Sequence, residues 1–137
     1  MAEQLSFDVR YEYDSRLVGI TIYASLTYGD VNKTVYAKVD PGAEYCLFQR
    51  EVADDLGIDL TSGDFRRFDT LAGSVDAYGH TVKLSTLGLE FESHVYFAAE
   101  YGLKRNLLGQ NGWLRKMRVA IVDYDATIYL SLYDGST

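Results

Sequence analysis

One carboxylate on a tight turn between apolar strands is the strongest opportunity for chemistry in this chain. Val39-Asp40-Pro41-Gly42-Ala43 follows an alternating stretch, leads toward a helical one, and is matched far downstream by Leu107-Leu108-Gly109. Peptide hydrolysis by carboxylates needs two of them, close enough to share one proton. One draws a proton from water while the other, still protonated, polarises the carbonyl. Like charges at close range cannot both ionise, and that keeps the second group protonated. The same residues also suit a turn without chemistry, because Pro presets φ and Gly accepts positive φ. The surrounding sequence has to decide.

Competing constellations are weaker. His80 and His94 could join Asp76 or Glu92 as metal ligands, but no tight His/Cys/Glu spacing supports this, so no metal is expected. His80, beside Gly79, reads as an exposed hairpin residue, and His94 as a residue on a strand face. Cys46 is alone, which excludes an intrachain disulfide; between Tyr45 and Leu47 it reads as a buried core thiol rather than a nucleophile. Neither a Gly-rich phosphate loop nor a Gly-x-Ser-x-Gly elbow occurs.

The elements that must position Asp40 are mostly strands. Phe7, Val9, Tyr11 and Tyr13 alternate with polar residues, and Val18, Ile20, Ile22, Ala24 and Leu26 repeat the pattern. Gly29 to Lys33 reads as a hairpin turn, after which Val35, Ala37 and Val39 share one face and deliver Asp40 at the strand end. Tyr45 to Phe48 is extended. Gln49 to Leu56 then changes to helical period, with Val52, Ala53 and Leu56 on one face and Gly57 as the stop. Ile58 to Gly63 reads as connecting loop. Phe68 to Leu84 forms a long hairpin whose centre, Leu71-Ala72-Gly73-Ser74-Val75, is small and flexible. Further strands cover Leu87 to Ala98 and Leu107-Leu108-Gly109. Asn111 to Met117 reads as a second short helix, and a last hairpin turns at Asp123-Tyr124-Asp125.

Bulk composition agrees with this. The 137 residues fit one domain, residues 1–137, able to bury roughly two-thirds of its unfolded surface. Twelve Tyr and six Phe against a single Pro favour pleated, half-buried strands, hence an all-β class with two short helices. The formal charge of −7 argues against a nucleic-acid partner, which needs a basic patch larger than Arg66-Arg67 or Arg115 to Arg118. No apolar run is long enough to span a membrane, and the start shows no signal-peptide pattern; a cytoplasmic protein is expected.

Asp40-Pro41-Gly42-Ala43 resembles the Asp-Thr/Ser-Gly-Ala signature of retropepsin-like aspartic proteases. The surroundings resemble that family too, over roughly residues 15 to 132: an apolar strand before the motif, a short helix ending at Gly57, a glycine-tipped hairpin at Gly73, and Leu107 to Asn111 in place of an apolar-apolar-Gly-Arg-Asn/Asp segment. The resemblance implies a closed β-barrel and a homodimeric endopeptidase acting on extended peptides without a cofactor. Only one aspartate motif is present: Asp69-Thr70-Leu71 lacks the glycine, and Asp134-Gly135-Ser136 has the wrong order. Two copies of Asp40 would therefore have to meet across a twofold axis. Pro41, Gly42 and Ala43 would complete the active-site loop, with the Gly42 amide orienting the carboxylate. Glu44, Ala72, Gly73 and Ser74 would contact substrate, the last three as a closing flap. Leu108, Gly109, Gln110 and Asn111 would support the loop from below.

Two positions depart from that pattern. Pro41 replaces a Thr or Ser whose hydroxyl braces the partner loop, and proline lacks both the hydroxyl and an N–H. Gln110 replaces an Arg, so its expected pair with Glu44 becomes a neutral-to-charged hydrogen bond. Both changes should weaken the dimer or loosen the aspartates. The alternative to an enzyme is thus a silent peptide-binding or dimerisation module. A third reading is an unrelated small barrel in which Asp40 is only a turn residue.

Overall fold

The computed structural model describes residues 2–71 and 73–134. Two adjacent antiparallel strands, β2 (Thr21–Tyr28) and β3 (Val31–Val39), turn at Gly29-Asp30, and Gly29 takes φ 59° there. The expected turn was longer, but Val31 to Lys33 already belong to β3. Alternation works as anticipated: Ile22, Ala24 and Leu26 are fully buried, while Tyr23 is exposed.

Beyond Asp40 come β4 (Leu47–Phe48), helix α1 (Arg50–Leu56), β5 (Asp64–Thr70), β6 (Gly73–Thr86), β7 (Leu89–Ala98) and β8 (Asn106–Leu108). The order β2-β3-β8-β4-β7-β6 closes on itself, because β6 also pairs with β2 from Ala24↔Thr86 to Thr27↔Lys83. Closure leaves no free edge in the ring. The first half of β6 instead pairs with β5, from Asp64↔Gly79 to Thr70↔Gly73, so this hairpin projects from the barrel. A separate three-stranded sheet joins β1 (Val9–Glu12), β10 (Thr127–Leu132) and β9 (Met117–Val122) in the order β1-β10-β9.

Helix α1 forms because Val52, Ala53 and Leu56 fall on one face and bury themselves against the barrel, each large side chain stabilising it by about 1.5–3 kcal/mol. It stops at Gly57, whose φ of 72° lets its N–H reach back to the last turn. The second expected helix does not form over 111–117. Gly112 sits there at φ 100°, and only a single 3-10 turn, Leu114–Lys116, follows. The Ile58 to Gly63 connection likewise holds one 3-10 turn, Leu60–Ser62.

Trp113 plugs the core: it is fully buried and its indole Nε1 donates to the buried Thr86 Oγ1 at 3.0 Å. Among the described residues no helix is long and apolar enough to cross a membrane.

Candidate active site

Asp40 sits where β3 leaves the barrel, and its turn is clamped from both sides. Its N–H donates to Leu108 O at 2.9 Å, continuing the parallel pairing of Val39 with Leu108. The Ala43 N–H donates back to Asp40 O at 3.0 Å, and the Gly42 N–H donates to Asp40 Oδ1 at 3.0 Å. This last bond fixes the carboxylate's orientation with a backbone donor, as an Asx-type turn does.

The support comes from the segment after β8. Gln110 N donates to Ala43 O at 2.8 Å and Asn111 N to Glu44 O at 2.9 Å; the Asn111 side chain adds a 3.0 Å bond to the same Glu44 carbonyl. Gly109 is where the two segments cross. A Cβ there would lie 2.3 Å from Tyr45 O and 2.7 Å from Ala43 O, so only glycine allows the approach. The structure thus brings together Asp40, Pro41, Gly42, Ala43 and Glu44 with Leu108, Gly109, Gln110 and Asn111.

Gln110 departs from the expected pairing. Its Nε2 donates to the Pro41 carbonyl at 2.7 Å, not to the Glu44 carboxylate. A neutral amide gains little from seeking an exposed carboxylate when a fixed backbone acceptor is within reach. Gln110 Oε1 in turn accepts from Arg115 at 3.3 Å.

A cavity of about 370 Å³ opens beside the turn, between Gly42, Ala43 and Glu44 on one side and Arg66, Phe68 and Thr70 on the other. A second, of about 810 Å³, lies past β5 and is lined by apolar groups such as Val75, Leu103 and Leu107, with Ser74 at its wall. Ser74 Oγ donates to Asp69 Oδ1 at 3.0 Å. Gly73 lines neither cavity but takes φ 115° at the hairpin end, its carbonyl accepting from Thr70 Oγ1 at 2.6 Å. Ala72 lies outside the described residues, as do Gly135 and Ser136 of the discarded second motif.

The root of the hairpin rests on aromatic side chains that the sequence did not single out. Tyr45, Phe68 and Tyr96 meet edge to face with centroids 5.2 to 5.8 Å apart. Tyr96 Oη donates to Asp64 Oδ2 at 2.7 Å, and His94 Nε2 donates to Asp64 Oδ1 at 2.7 Å. The Tyr96 hydroxyl, followed by His94, holds the Asp64 carboxyl below its ordinary range, against the opposing effect of burial. Tyr45 directly after the loop was the available signal; its meeting with β5 depends on long-range register.

His80 is not exposed on the hairpin as expected. It lies within β6, is buried, and its Nε2 donates to Leu60 O at 2.8 Å. His94 does lie on an exposed strand face. Burial pushes the Cys46 thiol up to about 12, as befits a core residue rather than a nucleophile. Among the described residues no group of three or more His, Cys, Asp or Glu could hold a metal ion.

Comparison with known proteins matches this arrangement to one group. A family model described as aspartyl protease matches residues 24–111, which is more than half of the chain. Among solved structures, a retropepsin-like aspartic protease from Rickettsia conorii superposes with a TM-score of 0.64 at 22% identity, covering 90% of this chain and 97% of that one. That likeness establishes the fold. No curated protein matches the sequence.

Proposed function

Because the chain belongs to the aspartyl protease family and has a retropepsin-like fold, we propose that residues 1–137 form a single domain that works as a homodimeric aspartic endopeptidase. The observation that carries the reading is the Asp40 turn itself. The Asp40 carboxylate is oriented by the Gly42 amide at 3.0 Å, its backbone N–H is anchored on the Leu108 carbonyl, and the next residues of the turn, Gly42 and Ala43, line a cavity of about 370 Å³.

Each subunit supplies one Asp40. The pair shares a proton, so one carboxylate removes a proton from a water while the other donates its proton to the scissile carbonyl oxygen. Water oxygen bonds to the carbonyl carbon and gives a tetrahedral diol. Collapse breaks the C–N bond, with the amine nitrogen taking the proton first drawn from water and the second carboxylate recovering its own. No cofactor enters. The β5–β6 hairpin around Gly73 and Ser74 acts as the flap that excludes water, and Glu44 contacts the peptide backbone.

Pro41 favours a second reading, a silent peptide-binding or dimerisation module. Its only polar backbone atom, the carbonyl, already accepts from Gln110 at 2.7 Å, so it offers a partner loop no donor. Cleavage of a diverse peptide library from acid to neutral pH, with Asp40→Asn alongside, separates the two. Cuts that vanish in the variant support the enzyme. Silence from the folded, dimeric wild type leaves the module.

A further inference from the structure

We propose that Arg66 is a specificity-determining residue of this groove, selecting peptides with an Asp or Glu side chain near the scissile bond. The inference rests on the peptide-groove reading above and adds to it the chemistry of one subsite.

Arg66 is held in place but left unneutralised. On β5 it shares a face with Asp64 and Phe68, and its guanidinium lies over Tyr45 at 4.5 Å and near Tyr96 at 5.6 Å. Its Nε donates to Tyr96 Oη at 3.3 Å, and Tyr96 is itself fixed by Asp64. Among the described residues no carboxylate lies within ion-pair distance of Arg66. Its neighbour Arg67 is the contrast, because two bonds of 2.6 and 3.3 Å commit it to Asp76 across the hairpin. The terminal nitrogens of Arg66 thus remain available on the wall of the 370 Å³ cavity, directly across from the active-site loop.

A guanidinium in this condition suits a carboxylate. Its planar fork can donate two parallel bonds, and the aromatic contacts have already restricted the side chain, so little freedom is lost on binding. Three features oppose an acidic ligand: the net charge of −7, and Glu44 and Asp69 on the same cavity, of which Asp69 already accepts from Ser74 Oγ at 3.0 Å. Charges spread over the surface are screened beyond about 8 Å at physiological salt, whereas a direct ion pair is not. Glu44 is exposed and fixes the sign of a second variant: removing its charge should strengthen the preference.

The experiment uses decapeptide pairs differing only in Glu against Gln at each position flanking a scissile bond. Two readouts are taken: kcat/KM with the wild type, and fluorescence anisotropy of the same labelled peptides with the full-length Asp40→Asn protein. The expected result is a preference for Glu of about tenfold at one position, the size of one charge-assisted hydrogen bond. It should lie in KM rather than kcat, disappear in Arg66→Gln, survive in part in Arg66→Lys, and widen in Glu44→Gln. A purely structural role for Arg66 would shift the Glu and Gln peptides alike. Glu preference in the binding readout without cleavage supports the inference and sinks the peptidase reading. Cleavage without Glu preference, a preference that persists in Arg66→Gln, or no binding of any peptide overturns the inference.

Discussion

Gly109→Ala should damage the fold at the place where it builds the site. An added Cβ would lie 2.3 Å from Tyr45 O, 2.7 Å from Ala43 O and 2.7 Å from the Tyr45 carbonyl carbon. All three are backbone atoms, so no rotamer change relieves the clash, and the two segments must part by about 1 Å to restore ordinary contact. The bonds lost are those that tie them: Gln110 N to Ala43 O at 2.8 Å and Asn111 N to Glu44 O at 2.9 Å. At about 1 kcal/mol for each bond and about 1–3 kcal/mol of strain, the cost is about 3–5 kcal/mol. Against a total stability of about 5–15 kcal/mol this leaves a marginal protein. Urea unfolding followed by circular dichroism reads it directly. With a slope of about 2 kcal/mol per molar, the midpoint should fall by about 2 M. Gly29→Ala is the control: its Cβ meets nothing within 4 Å, and its φ of 59° alone costs about 1 kcal/mol. A Gly109→Ala midpoint no lower than that of Gly29→Ala would refute the crossing as the lock on the loop.

Other outcomes follow from single contacts. Trp113→Phe removes the 3.0 Å bond to Thr86 and leaves a buried hydroxyl unpaired, so it should cost about 2 kcal/mol by chemical denaturation, and Thr86→Val in the same background should recover part of it. Cys46, with its thiol pushed up to about 12, should resist aromatic disulfide reagents at pH 8 in the native protein and react fully in urea. Asp64 has its folded pKa depressed by Tyr96 and His94, so its contribution is present above the unfolded value of about 3.9 and is lost as pH falls through the lower folded value. The stability gap between wild type and Asp64→Asn should therefore stay constant above about pH 5 and shrink below about pH 4 in pH-dependent denaturation. Pro41→Thr restores a hydroxyl and an N–H in each loop; two new bonds of about 1 kcal/mol should tighten the dimer about 30-fold by sedimentation equilibrium.

The strands around Asp40 were legible because local alternation writes them: Ile22, Ala24 and Leu26 bury one face of β2, and Ala37 and Val39 do so on β3. The loop and its support segment were legible through glycines: Gly42 follows Asp40 in the turn, its N–H on the carboxylate, and Gly109 stands where two backbones approach closely. What the chain concealed depends on partners distant in sequence. His80 reads as an exposed hairpin residue beside Gly79, yet β6 continues past its pairing with β5 and sets His80 opposite Val95 of β7, buried against Leu60 O. Gln110 could not be assigned to the Pro41 carbonyl without knowing how the two segments cross. Arg66 and Tyr45 are 21 positions apart, and only the register of β5 sets a cation over that ring. The lost second helix is different: Gly112 was visible, but its positive φ is imposed by the turn out of the site.

The central claim is that both carboxylates come from two copies of Asp40. Wild type and Asp40→Asn should be mixed at fixed total concentration, allowed to exchange subunits, and assayed on one cleaved peptide. If each site needs Asp40 from both subunits, activity follows the square of the wild-type fraction, and an equal mixture keeps about a quarter of the rate. About half the rate at equal mixing would mean that each subunit works alone, and about three quarters that one Asp40 per dimer suffices; either result would contradict the account.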